Sequence, residues 1–322
     1  MTRPANRASA GLVIGLVNNM GRRTMFSTER QFSNLLRSAS PDLAVELKLF
    51  TLEDNTDANA PDGVRYPRYA SLDAVEDAGI DALIVTGMEP RRARLQDEPN
   101  WGALTRLLDW TEFNEVPAVW SCLVAHAAVL HLSGIDRQPL PEKVSGVFQC
   151  HRTSAQHPLT TGMPEQWRSP HSRFNGLSEA ALVAAGYEIL SRSEEVGTDV
   201  FTRSHSPATL FLQGHPEYSP TTLLREYIRD VRRYLSGESP CYPAVPSNYL
   251  DANSEEALDE LREDALGGSG DIMASLLAIA RIASPLDVDQ DMGVRLYGNW
   301  LGGITRRRVN KSLSVRERAC AR

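Results

Sequence analysis

Hydrophobic residues gather along the first half of the chain in short uninterrupted runs separated by polar loops. Gly11-Leu12-Val13-Ile14-Gly15-Leu16-Val17 and Ala82-Leu83-Ile84-Val85 are runs of the kind that fill the centre of a parallel sheet, buried on both faces. Leu43 to Phe50 alternates apolar with polar positions and predicts another strand. Ser27-Thr28-Glu29-Arg30-Gln31 offers cap candidates for a helix running through Leu36, and Ser71 to Ala78 predicts a short helix. Trp101 to Asn114 is helical in period, with Trp101, Leu104, Leu107, Leu108 and Trp110 on or near one face. From Val116 to Leu130 an apolar run that Pro117 can only begin passes into small and aliphatic residues ending at Gly134. That is a buried strand turning directly into a helix, with Cys122 at the turn. Strand and helix alternating in this way predict an α/β fold with a doubly wound, mostly parallel sheet, whose ligands sit at the carboxyl ends of its strands. The loop after Val17, the loop after Val85 and Cys122 all fall at such ends, so three loops should converge on one crevice.

The second half is less regular. Tyr187 to Leu190 and Thr209 to Gln213 read as strands, Thr221 to Leu235 as a helix, and Lys143 to Phe148 and Pro170 to Phe174 as strand ends or turns. Residues 251–280 form an acidic helical stretch broken by Gly267-Gly268-Ser269-Gly270, and a more apolar helix, Ile272 to Ile282, follows.

Composition narrows the function classes. With 322 residues, 42% of them hydrophobic, the chain can bury a full core. A net charge of −7 argues against a nucleic-acid partner, and no apolar run approaches the length of a membrane span. Four scattered cysteines (122, 150, 241 and 320) make neither a disulfide framework nor a metal knuckle, so a cytoplasmic location and no metal are expected.

Two stretches carry chemistry. A thiol at residue 122 would sit at the positive end of a helix dipole, a place that lowers a cysteine pKa and presents the sulfur to a substrate. The bland alternative is a cysteine buried as a small hydrophobe. In Gly214-His215-Pro216-Glu217-Tyr218, Pro216 pushes His215 out of the helical region, and residues two apart in an extended segment share a side. His215 and Glu217 alone could be a surface turn. Together with the cysteine on the same sheet edge they suggest nucleophile, base and orienting carboxylate, the arrangement of cysteine-based acyl transfer.

The elbow followed by Gly-His-Pro-Glu-Tyr resembles the class I glutamine-amidotransferase superfamily. In finer pattern the chain resembles one branch of it, the homoserine O-acyltransferases. The stretches that carry this likeness are Asn19-Met20 with its basic pair, Thr28-Glu29-x-Gln31-Phe32, Ile84-Val85-Thr86-Gly87 with Trp101, and Cys122 with Ala127-Ala128. Further matches are Lys143-x-Ser145-Gly146-Val147, Pro170-His171-Ser172-Arg173, Glu226-Tyr227-x-Arg229-Asp230 and Gly298-Asn299-Trp300-Leu301. The resemblance implies an amidotransferase-like catalytic domain over 11–240 after a flexible start at 1–10. Composition, in turn, predicts a helical segment over 241–304 that packs on the core or on a second copy in a homodimer, and a mobile basic tail over 305–322. The resemblance further implies an acyl-CoA co-substrate, with no permanently bound cofactor, and L-homoserine as acceptor. Cys122 would carry the acyl group, His215 serve as base and Glu217 orient it. Lys143 and Ser172 would line the substrate pocket, and Arg229 would grip the homoserine carboxylate.

Departures keep other readings open. Leu123 and His126 stand where the family has Trp and Gln, and Arg22-Arg23 replaces a lysine pair, making Arg23 the active-site cation. The family separates donors by one residue in the loop after Thr86-Gly87, small for succinyl and a carboxylate for acetyl; counting places Arg91 there. An arginine fits neither rule, and charge complementarity inclines the expectation to succinyl. Acylation of another hydroxy amino acid such as serine, a glutaminase, and a catalytically silent relative remain alternatives. Against the glutaminase, Val124 stands where that class wants glycine two residues past the nucleophile.

Overall fold

The computed structural model describes residues 11–52, 68–204, 206–286 and 289–320. The expected N-terminal segment 1–10 and most of the polar loop at 53–69 therefore lie outside the described residues. The strands are β1 (Leu12–Val17), β2 (Val45–Thr51), β3 (Ala70–Ser71), β4 (Ala82–Val85), β5 (Ala118–Ser121), β6 (Gln138–Arg152), β7 (Gln166–Gly176), β8 (Tyr187–Ser193), β9 (Gly197–Arg203) and β10 (Ser206–Leu212). The helices are α1 (Arg22–Ala39), α2 (Trp101–Phe113), α3 (Leu123–Ser133), α4 (Glu179–Ala184), α5 (Thr222–Leu235), α6 (Ala252–Gly267), α7 (Ile272–Ile282) and α8 (Gln290–Cys320).

All ten strands form one sheet in the order β3-β2-β1-β4-β5-β10-β9-β8-β6-β7. From β3 to β10 neighbours run parallel, and from β10 to β7 antiparallel. The parallel half follows the expected grammar, since β1 and β4 are buried runs with helices on both faces. One face packs α1 and α8 through Phe32, Leu36, Tyr297 and Trp300; the other packs α2 and α3 through Leu104, Leu108, Val124 and Ala128. A third cluster joins α5, α6 and α7 to Val147 of β6. Strand order reverses between β1 and β4, the kind of switch point where open α/β sheets bind ligands.

Several expectations shift. The first helix starts at Arg22, ahead of Ser27, whose hydroxyl donates to Thr24 O inside the helix instead of capping it. Ser71 to Ala78 makes only a single tight turn at Leu72–Ala74, capped by Ser71. The stretches read as strand ends belong to β6 and β7, a long antiparallel pair whose mixed composition reflects partial exposure. From 305 the chain continues α8 to Cys320. There Arg307 pairs with Glu115 at 2.5 Å, and Arg308 donates to Gly11 O at 2.9 Å. These two arginines meet partners along the amino edge of the sheet. No helix among the described residues is long and apolar enough to cross a membrane.

Candidate active site

Four adjacent parallel strands, β1, β4, β5 and β10, end on one edge. The loop after β1 is fastened to the loop after β4: Asn19 N–H donates to Thr86 Oγ1 at 2.8 Å and its side-chain amide to Thr86 O at 3.0 Å.

Cys122 occupies the turn between β5 and α3 with φ 51° and ψ −116°. A left-handed φ on a residue with a Cβ costs on the order of 1–3 kcal/mol and must be held by its surroundings. Here the Cys122 N–H donates to Leu212 O at 2.7 Å, and α3 starts at the very next residue. As the first residue of that helix, Leu123 has an N–H with no acceptor inside the helix. Gly87 lies directly over it. A Cβ at Gly87 would stand 3.1 Å from Cys122 Cβ and 3.5 Å from Leu123 N. Only glycine keeps that space open, and an oxyanion formed at the sulfur would find the Leu123 N–H there.

β10 leads into the turn that carries His215. His215 is buried, its Nδ1 lies 2.9 Å from Glu217 Oε1, and its backbone N–H donates to Pro170 O at 2.8 Å. The ring stacks on Tyr218 with centroids 4.2 Å apart and lines the same cavity as Cys122, whose thiol reaches Ser172 O at 4.0 Å. With Nδ1 committed to Glu217, Nε2 is the nitrogen left for the thiol. Burial is the largest influence on the imidazole and disfavours its charge, but the Glu217 carboxylate and Cys122 together outweigh it, so the pKa rises well above 6.5.

β6, β7 and α5 supply the opposite wall. Ser172 Oγ donates to Glu226 Oε2 at 2.5 Å, and Tyr218 OH donates to Glu226 Oε1 at 2.7 Å. Asp230 bridges two cations, receiving Lys143 Nζ at 2.7 Å on one oxygen and Arg229 Nε at 2.8 Å on the other. Spending only Nε on Asp230 leaves the terminal nitrogens of Arg229, which lines the cavity, as a fork for a carboxylate. Arg229 thus pairs with Asp230 and faces the cavity as well.

One cavity is lined by Cys122, His215, Glu217, Lys143, Ser172 and Arg229. Arg91 does not line it: its side chain is exposed, while its N–H and that of Arg92 each donate to Glu98 Oε1 at 2.8 Å. Glu89 takes the place on the wall, ion-paired to Arg233 of α5. The Arg23 side chain lies outside the described residues; its backbone is in the first turn of α1. His126, which replaces glutamine, approaches Gln213 Oε1 through Nε2 at 2.9 Å, and burial pushes its pKa down to about 4. Glu226, Asp230, Tyr218 and Glu89 had no role assigned from sequence. Glu226 was within reach, three residues before Arg229 on one helical face.

Behind His215, Cys150, His171 and Asp199 are fully buried with their donor atoms within 4.8 Å of one another. Asp199 already accepts from Ser169 and Ser191 and lies 3.3 Å from His171 Nε2, so its oxygens are engaged within the protein. The group braces the turn, since a Cβ at Gly214 would stand 2.3 Å from Asp199 Oδ1.

The profile of the homoserine O-succinyltransferase family matches residues 1–266. A homoserine O-succinyltransferase of Rhodopseudomonas palustris is 42% identical over 302 residues, covering 93% of this chain and 90% of that one. One of Methylorubrum extorquens is 43% identical over 302 residues, covering 92% and 88%. Among solved structures, a glutamine amidotransferase of Thermotoga maritima superposes with a TM-score of 0.51 at 12% identity, covering 91% of this chain and 98% of that one, a likeness of fold alone. With the family profile spanning most of its length and relatives above 40% identity along nearly all of it, the chain belongs to the homoserine O-succinyltransferase family.

Proposed function

We propose that this protein moves a succinyl group from succinyl-CoA to the γ-hydroxyl of L-homoserine through a thioester on Cys122, an acylation serving methionine biosynthesis. The observation that carries the reading is the meeting of Cys122, His215 and Glu217 at one sheet edge in a chain of this family.

His215 Nε2 takes the thiol proton, and the Cys122 thiolate attacks the thioester carbonyl. The developing oxyanion points to the Leu123 N–H in the space that Gly87 leaves open. Collapse expels the CoA thiolate, which recovers the proton from the imidazolium, leaving a succinyl thioester on Cys122. Homoserine then enters with its carboxylate on the Arg229 fork and Lys143, and its ammonium toward Glu226. The γ-hydroxyl gives its proton to Nε2 as its oxygen attacks the thioester. The second collapse releases O-succinylhomoserine, and the departing sulfur takes the proton back. Glu217 keeps the Nδ1–H tautomer and stabilises the imidazolium in both halves.

Succinyl is favoured over acetyl by the names of the relatives, and the state of Glu89 does not oppose it. A carboxylate on the cavity wall would repel a succinyl carboxylate, but Arg233 holds both of its oxygens and offsets its charge. Rates of CoA release with succinyl-CoA and acetyl-CoA, each against homoserine and serine, test this. The expected pair is succinyl-CoA with homoserine; faster turnover with acetyl-CoA or serine overturns the donor or acceptor assignment. Glutamine hydrolysis with no CoA release overturns the reading as a whole.

A further inference from the structure

The loop from Met88 to Pro99 contains as many acidic residues as arginines, yet the structure separates the two signs. Glu89 turns to Arg233 of α5, and Glu98, only 8% exposed, turns inward to accept the backbone N–H groups of Arg91 and Arg92. Two consecutive N–H groups on one buried carboxylate oxygen fix the turn and leave the side chains of Arg91, Arg92 and Arg94 exposed outside it. Asp97 is the one acid of the loop on this outer side, 3.9 Å from Arg94, which is 70% exposed. Arg137 stands against the same loop, its NH2 donating to Ala93 O at 3.0 Å. Its NH1 is buried and has no hydrogen-bond partner among the described residues. On a chain of net charge −7, four guanidinium groups therefore converge on one short loop. That loop is continuous with the cavity, because Met88, Glu89 and Pro90 line it.

We propose that this arginine rim, Arg91, Arg92, Arg94 and Arg137, is the docking site for the phosphate-bearing nucleotide end of the acyl-CoA donor, whose pantetheine arm then passes Pro90 and Met88 to reach Cys122. The inference rests on the acyl-CoA reading and extends it from the reacting carbonyl to the far end of the donor. Guanidinium groups suit this ligand because they bind phosphate oxygens in bidentate fashion and stay charged. Exposed contacts of this kind are screened by salt, so the donor's affinity should fall as ionic strength rises. The acceptor side, on Arg229 and Lys143, should be indifferent to charge changes at the rim.

The test compares wild type with the double variant Arg92→Glu/Arg94→Glu, using free CoA and pantetheine in titration calorimetry. Charge reversal at two positions is expected to weaken CoA about tenfold or more and to flatten its salt dependence, with pantetheine unchanged. The same variant should retain wild-type transfer to homoserine from a succinyl-N-acetylcysteamine thioester, which has no nucleotide; that result also reports an intact fold. Unchanged CoA affinity, or equal loss with CoA and pantetheine, overturns the rim. The two readings fail separately: wild type that binds CoA through the rim but never acylates homoserine refutes the proposed function alone.

Discussion

His126→Gln isolates a single buried titration one helical turn from Cys122. His126 lies in the first turn of α3, 2% exposed, and its Nε2 meets Gln213 Oε1, while Gln213 Nε2 donates to Thr198 O at 2.6 Å. Since the Gln213 amide donates from its nitrogen, its oxygen accepts, and His126 must hold the proton on Nε2. Nδ1 is left buried without a partner among the described residues, so a second proton has nowhere favourable to go. Burial accordingly lowers the folded-state pKa from 6.5 to about 4. A group depressed in this way contributes stability that is complete above its unfolded value. That stability is lost as pH falls from about 6.5 toward about 4, because the unfolded chain binds the proton first. The interval corresponds to about 3 kcal/mol, a large share of the ~5–15 kcal/mol typical of a folded domain. Glutamine preserves a partner for Gln213 and does not titrate. Urea unfolding at pH 7 and pH 4.5 should therefore show wild type losing about 2 kcal/mol more than the variant over that range. Other acid-sensitive groups are common to both proteins and cancel in the comparison. Parallel losses would refute the assignment of a neutral, buried imidazole at this position.

Three further outcomes follow from the geometry of the site. Gly87→Ala puts a Cβ 3.1 Å from Cys122 Cβ and beside Leu123 N, so kcat should fall about tenfold or more while the KM for homoserine stays near wild type. Glu217→Gln removes the anion that holds the His215 imidazolium, so the rise of transfer rate with pH should move to lower pH while the maximal rate drops at least about tenfold. Gly293→Val places a side chain where a Cβ would already be 2.7 Å from Pro216 O, so steady-state kinetics should show kcat reduced about tenfold or more through displacement of the His215 turn.

The parallel half of the sheet was legible because buried strands announce themselves as apolar runs, as at Leu12–Val17 and Ala82–Val85. The elbow was legible because Ser121-Cys122-Leu123 sits where such a run changes period. The antiparallel half was legible chiefly at β8, where Tyr187 to Leu190 read as a strand. β6 and β7 present mixed residues to a partly exposed face, and β9, Gly197–Arg203, has no period distinct from its surroundings. Site residues were readable where chemistry and local geometry coincide, as in His215 and Glu217 two residues apart. Glu89 and Arg91 show the limit. Counting positions names the loop, but which of its side chains turns inward is decided by Glu98 and Arg233, partners that are distant or unremarkable in sequence.

The central claim is that sulfur, imidazole and carboxylate at this edge operate as one acyl-carrying unit. Intact mass of the protein, quenched after mixing with succinyl-CoA and again after adding homoserine, addresses it most directly. The account predicts one succinyl group on Cys122, discharged by homoserine in wild type and retained far longer in His215→Ala once that variant has been loaded. An unmodified protein that still forms O-succinylhomoserine, or an adduct that maps to another residue, would contradict it.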